Sequence, residues 1–111
     1  MKLETHEGVV THAASADDVA ATVHGLVDQG EAYVVLDDGR DESYVQAAGT
    51  VGEDFIVERR DGCAGEHYRT DRRLSANELI SLLLAYLSGA EDWSWAVTWH
   101  RVRVDPDRPV A

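Results

Sequence analysis

A chain of 111 residues with 21 acidic and 10 basic side chains carries a formal charge of −11, and Lys2 is its only lysine. That balance excludes capture of DNA, RNA or an anionic membrane surface through a basic patch, and the length suits one α+β domain, residues 1–111, with a single core. The lone cysteine, Cys63, excludes an intramolecular disulfide and a thiolate metal cluster, and no apolar run is long enough to span a bilayer or form a leader, so a soluble cytoplasmic protein is expected.

The segment from Leu3 to Ala14 carries Val9 and Val10 and reads as one short strand. Ser15 is an N-cap, followed by Asp17 and Asp18 in a first turn where the helix dipole favours negative charge. Val19, Val23, Leu26 and Val27 recur at helical period, so a first helix is expected over 16–29, closed by Gly30. Gly25 inside that helix costs stability and points to close packing against a neighbour.

Beyond Gly30 the period falls to two. Strands are expected over 32–36, 42–48, 54–60 and 66–70, joined by turns at 37–41, 49–53 and 61–65 in an antiparallel meander. Ser75 and Glu78 have capping-box spacing, and Leu79, Leu82, Leu83, Tyr86 and Leu87 form one apolar stripe, predicting a second helix over 76–88 with Gly89 beyond it. Trp93, Trp95, Val97 and Trp99 alternate, so a last strand is expected over 93–104, with a bulge near His100 or Arg101. Residues 105–111 read as a frayed tail. The predicted order is (β)αββββαβ, an antiparallel sheet of about five or six strands with two helices packed on one face.

The chain has no nucleophile elbow, phosphate loop, dinucleotide fingerprint or paired-cysteine motif. The five histidines lack metal-ligand spacing, so neither metal nor cofactor is expected. One pairing stands out: a tight turn between 54–60 and 66–70 brings His67 beside Glu58 or Arg60, a minimal acid–base pair whose simpler reading is a cross-strand charged contact. Of the three tryptophans at least two are expected in the core, and Trp93, nearest the preceding loop, is the one expected at the surface.

From Tyr44 onward, the run Tyr44–Val45–Gln46–Ala47–Ala48–Gly49, then Phe55–Ile56–Val57–Glu58–Arg59–Arg60, His67–Tyr68, the helix ending Tyr86–Leu87–Ser88–Gly89, and Trp93 with Val97–Thr98–Trp99 resembles small bacterial proteins found among the immunity proteins of polymorphic toxin systems. The resemblance implies an α+β domain that neutralises a cognate toxin by binding it, without chemistry of its own. The functional expectation is therefore a non-enzymatic protein-binding domain that meets a basic toxin through an acidic face. Its candidate contacts are Asp37, Asp38, Asp41, Glu42, Glu53 and Asp54, with Trp93 as an anchor. The alternatives are a self-associating domain whose acidity belongs to a salt-adapted or GC-rich organism, and a small enzyme using His67 and Glu58.

Overall fold

The computed structural model describes residues 1–27, 32–39, 43–49, 54–62 and 66–102. Its strands are β1 (Lys2–Thr5), β2 (Gly8–Thr11), β3 (Ala32–Asp37), β4 (Tyr44–Gly49), β5 (Ile56–Arg60), β6 (His67–Thr70) and β7 (Trp99–Arg101), with helices α1 (Ala16–Leu26) between β2 and β3 and α2 (Ala76–Leu87) between β6 and β7. All seven strands join one antiparallel sheet in the order β2-β1-β3-β4-β5-β6-β7. This is the α+β architecture expected, with one strand more than the upper count. Of the turns expected at 37–41, 49–53 and 61–65, residues 40–41, 50–53 and 63–65, with Cys63, lie outside the described residues, as do Gly30, Glu42, the end of the last expected strand from 103 and the tail over 105–111.

The additional strand arises at the N-terminus. What reads as one strand is a hairpin: Gly8 takes φ 119°, which a side chain would strain, and the Glu7 N–H donates to Thr5 Oγ1 at 3.2 Å, closing the His6–Glu7 turn. The expected strand over 93–104 shrinks to Trp99–Arg101. Residues 91–96 coil instead, with Trp93 N–H donating to Ala90 O at 3.2 Å and Trp95 N–H to Asp92 O at 3.0 Å.

Both helices begin on reciprocal caps. Asp18 N–H donates to Ser15 Oγ at 3.2 Å while Ser15 N–H donates to Asp18 Oδ2 at 3.0 Å; Ser75 and Glu78 repeat the exchange at 3.2 and 3.1 Å. After α2, Gly89 at φ 77° donates its N–H to Tyr86 O. The helices pack on one face of the sheet. Strand alternation therefore sends Leu3, Val34, Leu36, Val45, Ala47 and Val57 inward to meet Val19, Val23, Leu79, Leu82 and Leu83, and among the described residues no helix lies over the opposite face.

Two expectations for α1 are corrected. Val27 lies beyond the buried stripe and is exposed, and no atom lies within 4 Å of a Cβ added at Gly25, so this glycine marks no close approach. Gly25→Ala should accordingly raise the unfolding free energy by about 0.5–1 kcal/mol in urea titration, because only the backbone entropy changes. Ser75→Ala, which breaks the α2 cap, should lower it by about 1 kcal/mol.

Candidate functional site

Two surfaces carry side chains that the core does not use. The first is the helix-free face, where register fixes the neighbours: Gln46 opposes Glu58 and Glu58 opposes Arg69, while Tyr44 opposes Arg60 and Arg60 opposes His67. Glu58 is the centre. Its Oε1 accepts from Arg69 Nε at 2.8 Å and Nη2 at 2.6 Å, and its Oε2 accepts from Gln46 Nε2 at 2.8 Å and lies 3.2 Å from His67 Nε2. An ionised carboxylate only accepts, so Nε2 is the His67 nitrogen that carries hydrogen toward it. The His67 ring also stands edge-on to Tyr44, with centroids 6.4 Å apart.

Burial opposes ionisation of Glu58, but the hydrogen bonds from Arg69, Gln46 and His67, with the Arg69 charge, outweigh it and hold the carboxyl below its ordinary value of 4.5. His67 thus reaches the carboxylate that sequence spacing places beside it. Arg69 and Gln46 complete a network that spacing alone does not reveal. A cleft of about 440 Å3 adjoins it, walled by Tyr33, Ala48 and Ile56.

The second surface lies on the helix side, where β7 and residues 90–98 cover the end of α2. Arg59 points inward from β5, and its guanidinium carbon sits 4.5 Å from the Tyr68 ring centroid, 4.9 Å from that of Trp99 and 5.5 Å from that of Trp93. Asp61 Oδ2 accepts from Arg59 Nη1 at 2.8 Å, so the partly buried cation is met by one carboxylate and three ring faces. Trp93 also packs edge-to-face on Tyr86, centroids 4.7 Å apart, and on Trp99 at 5.9 Å. The Trp99 indole N–H donates to Ser94 O at 2.8 Å, tying the coiled segment to β7.

Two of the three tryptophans pack against the core, as expected, but the exposed one is not Trp93. Trp93 and Trp99 are packed against the core, and Trp95 is the exposed one, at 79 % of its surface. Coiling of 91–96 is the reason, since it breaks the alternation that places all three on one face. Trp93 keeps one edge at the surface, where it lines a cleft of about 360 Å3 with Leu74, Leu82, Ala85, Val97 and Asp92.

The acidic candidates among the described residues do not converge. Asp37 ends β3 opposite Tyr44, whereas Asp54 precedes β5 beyond the Ala48–Ile56 pair, so they lie at opposite ends of the sheet, roughly 20 Å apart at about 3.3 Å per residue. Asp38 adjoins Asp37, and Asp41, Glu42 and Glu53 lie outside the described residues. Among the described residues, no group of three or more His, Cys, Asp or Glu is placed to hold a metal ion, and no helix is long and apolar enough to cross a membrane. No family model, curated protein or solved structure matches the chain.

Two outcomes follow from these contacts. Arg59→Met keeps the shape of the stem but removes the charge from the aromatic box and from Asp61, and should lower stability by about 1–2 kcal/mol in urea unfolding followed by tryptophan emission. The second concerns acid. Arg72 and the Ser75 N–H hold Glu78 down to about 2 from an ordinary 4.5, and Glu58 is lowered as well. Carboxyls depressed by folding contribute stability that is complete above the unfolded value and lost as pH falls through the folded one. The urea midpoint should therefore be level from pH 7 to about 5 and fall from about 4.5 toward 2, and Glu78→Gln should flatten that fall.

Proposed function

We propose that the chain is a non-catalytic protein-binding domain that captures a basic protein partner on residues 91–96 and the adjoining cleft, in the manner of an immunity protein that neutralises a toxin by covering it. The observation that carries this reading is Trp95, 79 % exposed in a segment that also bears Glu91 and Asp92. Large aromatic rings are enriched at binding hot spots, where they supply area at low entropic cost. Beside it the Trp93 cleft offers apolar walls with Asp92 at the rim, a fit for the stem and charge of an arginine or lysine side chain. Glu78, which also lines the cleft, is already joined to Arg72 at 2.7 Å, so Asp92 is the carboxylate left to meet a cation there. The −11 charge favours encounter with a basic protein over the whole surface, and Asp37, Asp38 and Asp54 contribute to that field rather than to a single patch.

Binding is preferred over catalysis at the other surface on chemical grounds. A general base works best with a pKa near the operating pH, and Glu58 is driven the opposite way by the donors around it. One observation favours a second reading, self-association. On the helix-free face Lys2, Arg60 and Arg69 are interspersed with Glu4, Asp37 and Glu58, so two copies of an acidic chain meet there without opposing like charges.

The test is capture of partners by the tagged chain at low and high salt, with Trp95→Ala and Asp92→Asn in parallel. One basic protein, released by salt and lost at least tenfold in both variants, is the expected result. Capture unchanged by either variant contradicts the proposed surface, and an empty capture with a dimeric mass in sedimentation favours self-association.

A further inference from the structure

The cleft on the helix-free face has a chemistry of its own. Tyr33, Ala48 and Ile56 form its apolar side and Gln46, Glu58 and Arg69 its polar side. The sign of a ligand's charge follows from how Glu58 is used. Two donors from Arg69 take Oε1 and one each from Gln46 and His67 take Oε2, which fills the about four acceptor sites of a carboxylate. Little acceptor capacity is left there for a cation or a hydroxyl.

Arg69 is the complement. A guanidinium offers a side-on pair of N–H groups, at Nε and Nη2, and an end-on pair, at Nη1 and Nη2. Glu58 occupies the side-on pair, which fixes the plane of the group on β6, a strand paired on both sides. The Arg69 side chain is nonetheless 52 % exposed, with its end-on pair still able to donate. Because Arg69 offsets the charge of Glu58, and Gln46 and His67 also point donors at it, a second carboxylate at the end-on pair meets a neutralised neighbour.

We propose that this cleft binds a small organic carboxylate with an apolar body. The acid group sits end-on at Arg69, and the body lies against Tyr33, Ala48 and Ile56 in a volume of about 440 Å3. The site is separate from the tryptophan segment and stands whether or not a protein docks there. Glu58 lines the cleft and, with its donors filled, serves to position Arg69; His67 acts through Glu58 and lies outside the lining.

Phenylacetate is the probe, titrated into isotope-labelled full-length chain and followed by amide and Arg69 Nε–H resonances. Phenylacetamide, of the same shape without the charge, and phenethylamine, a cation, serve as controls. Saturable shifts confined to β3–β6 are expected with phenylacetate, and binding at least tenfold weaker with both controls. Arg69→Lys, which keeps the charge and loses the fork, should weaken phenylacetate about tenfold. Ala48→Phe, which fills the cleft while keeping Arg69 and Glu58, should abolish binding while leaving the melting temperature close to wild type; a variant that does not fold is replaced by Ala48→Leu. Equal binding of phenylacetate and phenylacetamide, preference for the amine, indifference to the cleft-filling substitution, or no saturable shift at tens of millimolar each overturns the proposal.

Discussion

Two helices cover only one side of a seven-stranded sheet, and from that constraint the rest of the molecule follows. Side chains alternate along each strand, so half of them are committed to the core under α1 and α2 while the other half stand on a face with no helix over it. The inward set is aliphatic and fully buried at Leu3, Val34, Leu36, Val45 and Val57. Hydrophobic transfer at roughly 25 cal/mol per Å2 makes that set the principal source of stability, and leaves the outward set available for other chemistry.

From the last residues of β5 to β7 the inward face changes character. Arg59 and Tyr68 follow the inward alternation, but the rings of Tyr68, Trp93 and Trp99, not helix leucines, surround the Arg59 guanidinium. A cation in such a box is tolerated because Asp61 and the ring faces replace part of its lost hydration. Packing then dictates exposure: with Trp93 and Trp99 engaged inward and residues 91–96 coiled, Trp95 projects into solvent beside Asp92. The proposed binding surface is in this sense a by-product of how the chain closes its last strand.

Much of this was legible in the residues. Ser15 and Ser75 announce both helices because a capping side chain is a local device, read within a few positions. The alternation over 32–36 and 54–60 gave the central strands for the same reason, and a tight turn was enough to bring His67 to Glu58. What the residues hid is either weakly marked or non-local. The first hairpin is signalled by little more than Gly8, and the alternation of Trp93, Trp95 and Trp99 imitates a strand that the backbone bonds of 90–95 do not form. Gln46 and Arg69 lie twelve and eleven residues from Glu58, and only the settled register of three strands brings them to one carboxylate. The inward, partly buried place of Arg59 was illegible because the inward code leads one to expect an aliphatic side chain there.

The central claim is a division of labour: a protein partner on the tryptophan segment, with the helix-free face left open. Hydrogen exchange of the backbone in the presence and absence of the captured partner tests it most directly. Protection concentrated on residues 91–97 and the exposed flank of α2, with β3–β6 exchanging as in the free chain, is the result this account predicts. Protection concentrated on β3–β6, with residues 91–97 unchanged, would contradict it.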